Sequence, residues 1–182
     1  ERNTKPPALF WQGVVMTGWG QHWEIWRLRL LIALYSLATA ALVLLLARRL
    51  SGNLGTGLLA AAVFLAFFST YRYGRVVLTS APETFWFFLP FFILLYWRPR
   101  AGGLTWILAL AFGLMVGVGL LYKSFALIIP FCAGLTWWTL HQRGYRFAEW
   151  LRAEAPKITL LGVVALGVFS LWFWLDPNPQ LI

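Results

Sequence analysis

Six stretches of the chain are apolar almost throughout, each bounded by charge, glycine or proline: 28–47, 54–71, 76–97, 104–122, 124–140 and 158–175. They run 17–22 residues each, which at about 1.5 Å per residue gives helices of roughly 25–33 Å, enough to cross the hydrocarbon core of a bilayer. Arg29 lies just inside the first run, Pro82 and Glu83 stand at the mouth of the third, and Pro90 and Pro130 interrupt the third and fifth. The centres of the runs are otherwise free of charge. The pattern predicts an all-α polytopic membrane helix bundle of about six transmembrane helices over 28–175. The link at Lys123-Ser124 is so short that it predicts a tight hairpin between the fourth and fifth helices.

The flanking segments read differently. Residues 1–27 are broken by glycine and charge, while Trp11, Trp19, Trp23 and Trp26 recur at short intervals. That pattern predicts the end of a first extracytoplasmic loop with an interfacial amphipathic segment. Residues 141–157 predict a cytoplasmic amphipathic loop with Tyr145, Phe147, Trp150 and Leu151 turned to lipid, and 176–182 predict the start of an extracytoplasmic loop. In the latter, Asp176 sits in an Asp-Pro-Asn-Pro turn that stops the last helix.

Composition agrees: 60% of the 182 residues are hydrophobic, 18% aromatic and only 12% charged, which excludes a water-soluble globule. Lys and Arg outnumber Asp and Glu 15 to 6. In so apolar a chain the excess belongs at membrane faces, against lipid headgroups and phosphate-bearing substrates rather than nucleic acid. Eight of these cations (Arg48, Arg49, Arg98, Arg100, Arg143, Arg146, Arg152 and Lys157) fall in the three loops on one side, where topology alone would put them. That side is assigned as cytoplasmic. The other seven lie beside apolar and aromatic stretches, where a cation is costly unless something anionic accompanies it.

Four of those seven, Lys5, Arg72, Arg75 and Lys123, belong to different connections on one predicted face. Bundling would converge them on a cavity suited to a phosphate carried on a lipid chain, the cations taking the phosphate and the apolar walls the hydrocarbon. Snorkelling onto ordinary headgroups is the plainer account of any single one. Glu83 has two readings: a functional acid entering the membrane, or a first-turn acid favoured by the helix dipole behind Ser80 as N-cap and Pro82. His22 stands alone, so ligand spacing supports no metal site, and no cofactor is called for. A divalent metal stays compatible with the chemistry. Cys132, in an apolar run, is assigned to packing, and Gly113 and Gly117 form a small-xxx-small pair for close helix contact.

The stretches "TKPPALFWQGVVMTGWG" and "RLRLLIALYSLATAALVLLLARRL", followed by "GRVVLTSAPETFWFFLPFFILLY" and "GLMVGVGLLYKSFALIIPFCAGL", resemble in order the membrane glycosyltransferases of the GT-C superfamily. Those nearest in pattern are the aminoarabinose transferases of lipid A modification and the dolichyl-phosphate-mannose protein mannosyltransferases. Lys5-Pro6-Pro7 matches their Lys-Pro-Pro motif, and Arg27-Leu28 the Arg-Leu pair that opens the next helix.

The resemblance implies transfer of a sugar, with inversion, from a polyprenyl-phosphate (undecaprenyl-type) donor to a lipid A, glycan or protein acceptor. It implies an integral protein of a bacterial inner membrane with its site facing the periplasm or exterior. Lys5 would stabilise phosphate charge on the leaving group, with Arg72, Arg75 and Lys123 contributing. The general base would be an Asp upstream of Lys5, so the chain is expected to be an inactive portion of a longer enzyme, with Glu83 a weak substitute. Two departures from the family pattern are Thr4 ahead of Lys5 and a patch, Thr79 to Glu83, lacking the Asp that many relatives carry before the proline. A transporter or flippase for a lipid-linked anion, which predicts ionisable groups at the bilayer midplane, and a non-catalytic scaffold are the alternatives.

Overall fold

A computed structural model describes residues 7–21, 24–67, 70, 77–97, 103–122 and 125–175. Every regular element among them is helical: α1 Ala8–Met16, α2 Ile25–Ser51, α3 Leu54–Ala66, α4 Ser80–Trp97, α5 Trp106–Leu120, a 3₁₀ turn Phe125–Leu127, α6 Ile128–Gln142, α7 Phe147–Ala153 and α8 Ala155–Leu175. A helix therefore covers most of each of the six apolar runs. The fold is an all-α membrane bundle. Among the described residues α2 alone is a single unbroken helix long and apolar enough to span a bilayer, with shorter apolar helices at Leu54–Ala66 and Trp106–Leu120. Leu30, Leu34 and Leu37, one stripe of α2, are exposed. A continuous apolar stripe of this kind is at home in hydrocarbon and not in water.

The chain divides into two compact units, residues 7–96 and the part from Trp97 onward. In the first, α2 and α3 form a close hairpin. Gly52 turns the chain with φ +70° and donates its N–H to the Arg48 carbonyl at 2.9 Å, a left-handed helix end that glycine adopts without strain. Asn53 then caps α3 by accepting from Gly55 N–H at 2.7 Å. At Gly57 an added Cβ would lie 2.7 Å from the Leu44 carbonyl oxygen, so the two backbones touch there.

In the second unit α5 packs along α8 in preference to α6, its neighbour in sequence across the 123–124 link. Gly113 and Gly117 make this approach possible. A Cβ on Gly117 would fall 2.6 Å from Val168 Cβ and 3.0 Å from the Ala165 carbonyl, whereas Gly162 of α8 has nothing within 4 Å. Alanine at a helix-interior glycine gains roughly 0.5–1 kcal/mol of propensity, but forcing a methyl into a filled contact costs about 1–3 kcal/mol. Gly117→Ala is therefore expected to lower the melting temperature of the purified protein, and Gly162→Ala to leave it unchanged or raise it. Equal effects of the two would show that the α5–α8 contact is not close.

The junction of α7 and α8 is held by one buried acid. Glu154 is fully buried and sits at a 47° bend between the two helices. Its Oε2 accepts the Leu104 N–H at 2.9 Å, its Oε1 accepts from Arg143 Nε at 3.0 Å and from the same guanidinium's terminal nitrogen, and Lys157 Nζ lies 3.5 Å from Oε2. Gly103 is required beside it, because a Cβ there would overlap the carboxylate.

Three sequence expectations shift on contact with the structure. Cys132 is exposed on α6, not packed inside, because the buried face of that helix is set by Phe131, Leu135, Trp138 and Thr139. Trp150, expected to face lipid, turns its indole N–H to Thr139 Oγ1 at 2.8 Å, while Tyr145, Phe147 and Leu151 are exposed. Helix α4 already includes Ser80, and Glu83 N–H bonds the Thr79 carbonyl at 3.1 Å, so the cap position falls on Thr79, one residue before the expected one.

Candidate functional site

Of the residues singled out for donor phosphate, Lys5, Arg72, Arg75 and Lys123 lie outside the described residues, as do Pro6, His22 and Asp176. Pro7, Arg27 and Glu83 are described, and all three belong to the unit 7–96. Pro7 precedes the first turn of α1, where its missing N–H costs nothing, and its carbonyl accepts from Trp11 N–H at 2.9 Å. Arg27 opens α2. Its Nε donates to Glu24 Oε2 at 2.9 Å, and its guanidinium lies 5.4 Å from the Trp26 ring centroid. A cation against an indole at the start of an apolar helix has the chemistry of a headgroup-level anchor.

Glu83 lies on the inward stripe of α4. Its buried residues 83, 87, 90 and 94 recur at helical spacing, so the acid shares a face with Phe87, Pro90 and Leu94 and is only 3% exposed. It also lies in the first turn of the helix, at the positive end of the helix dipole. Glu83 is thus a first-turn acid that is also buried.

Three helices come together at Tyr35. The Gln12 amide donates to the Tyr35 hydroxyl at 2.8 Å, tying α1 to α2. The Tyr35 ring lies 5.5 Å from Phe85 of α4 at 60°, and Phe85 meets Trp86 edge-on at 5.5 Å and 80°. Two polar atoms of this cluster, Gln12 Oε1 and Trp86 Nε1, are buried without a hydrogen bond among the described residues. Such groups are costly unless a partner satisfies them. One acceptor and one donor set among aromatic faces can serve the hydroxyls and apolar face of a sugar ring. Sequence reasoning did not find Gln12, Tyr35 or Trp86, since each is one polar-tipped side chain among apolar neighbours and only the packing of α1, α2 and α4 brings them together.

A family model described as dolichyl-phosphate-mannose-protein mannosyltransferase matches residues 3–178. The chain belongs to that family. No curated protein and no solved structure gives a significant match. Members of this mannosyltransferase family are membrane glycosyltransferases that use a polyprenyl-phosphate-sugar donor and lipid or protein acceptors. The matched region of this family member takes in the Lys-Pro-Pro motif, the Glu83 stripe, the Tyr35 cluster and the Gly113–Gly117 contact. Among the described residues no group of three His, Cys, Asp or Glu could hold a metal ion.

Proposed function

We propose that this protein transfers a sugar from an undecaprenyl-type phosphate donor to a lipid A, glycan or protein acceptor on the extracytoplasmic side of a bacterial inner membrane. The observation that supports the reading most is the family match over residues 3–178, running through Lys5-Pro6-Pro7 to the last helix. An acceptor hydroxyl attacks the anomeric carbon from the face opposite the phosphate. The bond from that carbon to the phosphate oxygen breaks, and the donor departs as polyprenyl phosphate. Lys5, with Arg72, Arg75 and Lys123, neutralises the charge that develops on the leaving oxygen, an interaction stronger in the transition state than in the ground state. The acceptor's proton passes to an acidic side chain, for which Glu83 is the described candidate of this unit. The aromatic cluster at Tyr35 orients the sugar.

The natural protein, reconstituted in vesicles and supplied with polyprenyl-phosphate mannose labelled in the sugar, is expected to move label into a protein, glycan or lipid A fraction. Labelled GDP-mannose without the lipid carrier is expected to give none. Label transfer from the nucleotide sugar alone, or from neither donor, would overturn the reading. Movement of intact labelled donor across the bilayer without transfer would favour the flippase alternative.

A further inference from the structure

We propose that the C-terminal ends of α2 and α4 form an anion site, which takes the phosphate headgroup of an anionic membrane lipid between Arg48, Arg49 and Tyr96. A cavity of about 350 Å³ lies there, lined by Leu45, Arg48, Arg49, Gly52 and Tyr96. The Arg49 guanidinium lies 5.8 Å from the Tyr96 ring centroid, and that ring is stacked on Phe92 at 5.0 Å and 24°. Arg49 is thus backed by an aromatic pair, leaving the edges of its planar fork for an oxygen ligand. Gly52 turns the chain sharply at this point, and a Cβ there would meet nothing within 4 Å, so the mouth is open.

Among the described residues of the unit 7–96, no carboxylate lies at this end. The unit 7–96 holds two acids, Glu24 and Glu83. Arg48 follows Glu24 by 24 residues of the same helix region, about 36 Å along the axis, and Tyr96 follows Glu83 by 13, about 20 Å. Neither carboxylate can reach. Among the described residues, the ion pairs join Arg27 to Glu24, Arg143 and Lys157 to Glu154, and Arg146 to Glu149, and none includes Arg48 or Arg49. The partial negative charge at the C-terminus of α2 amounts to only about half a unit, against two full positive charges.

A lipid fits better than a free ion because of what adjoins the arginines. Leu45, one turn inward, and Leu50 are exposed on the helix that is long and apolar enough to span the bilayer. The cavity therefore opens where headgroups and acyl chains meet, and a phosphodiester with two chains satisfies both its charge and its apolar wall.

The test is native mass spectrometry of the natural protein in uncharged detergent, titrated with dioctanoyl phosphatidylglycerol, dioctanoyl phosphatidylcholine or inorganic phosphate. Phosphatidylglycerol is expected to bind about tenfold more tightly than phosphatidylcholine, the advantage of charge-assisted hydrogen bonds to an uncompensated anion. In the Arg48→Gln/Arg49→Gln variant that preference is expected to vanish, and each single change to weaken it severalfold. These side chains are exposed, and the variants' unchanged melting temperature without lipid serves as the check on folding. Retention of the full preference by the double variant would overturn the site. Displacement of phosphatidylglycerol by equimolar inorganic phosphate would overturn the lipid as its ligand.

Discussion

Lys5→Ala in the natural protein is expected to lower kcat for sugar transfer by about 10²–10³-fold, the range for removing one preorganised group that meets charge as it develops on a reacting oxygen. The magnitude follows from where the charge goes. In the intact donor the phosphodiester carries one negative charge, and a second builds on the bridging oxygen as the sugar leaves. A cation that meets the second charge acts on kcat, while one that holds only the first acts on KM. Lys5→Arg keeps the charge but replaces a compact ammonium with a planar fork, so partial recovery is expected. Arg146→Gln is the control, since that side chain forms an exposed pair with Glu149 at 2.8 Å, of a kind worth little. Transfer rates measured at saturating donor decide the matter. A Lys5→Ala protein with near-normal kcat would remove Lys5 from the site.

The second large effect is on stability. Glu154→Ala is expected to destabilise the protein by about 3 kcal/mol, the lower end of the cost of stripping one partner from a buried ion pair. Three groups lose their acceptor at once: Arg143, Lys157 and the Leu104 N–H. The figure belongs at the lower end because the Arg143 side chain is 29% exposed and can swing to water, whereas the Leu104 amide is held in the backbone. Arg143→Ala should cost less, since Lys157 and Leu104 still serve the carboxylate. Melting of the purified variants, arranged as a double-mutant cycle over Glu154 and Arg143, reads both the size and the coupling. A Glu154→Ala loss as small as that of Arg146→Gln would mean the junction is not held by this acid.

Much of this architecture is written in the chain order of apolar and charged residues. Six runs produce helices because a segment in hydrocarbon must satisfy its backbone internally, and no partner segment is needed for that. The end of α2 is equally local: Arg48, Arg49, Gly52 and Asn53 terminate one helix and start the next by contacts within five residues. The spacing of Gly113 and Gly117 announces close packing, but not its partner. The short link to α6 points to that neighbour, and the structure gives the contact to α8, where Val164 and Val168 close on the two glycines.

The sites were less legible for the same reason. Periodicity reports which residues share a face, and so the 83, 87, 90, 94 stripe is readable; whether an acid on it is buried depends on the helices opposite. Gln12 meets Tyr35 across 23 residues, and Glu154 meets Leu104 across 50.

By itself the sequence determined that this is a helical membrane protein, basic at its faces and patterned like a polyprenyl-phosphate glycosyltransferase, because hydropathy, charge placement and ordered motifs are properties of the chain alone. The tertiary structure alone decided which charges are buried or left without counterions: Glu154 is enclosed by two cations and an amide, while Arg48 and Arg49 face a cavity no carboxylate of their unit reaches. Electrostatic compensation acts through space over a few ångströms, and distance along the chain carries almost no information about it.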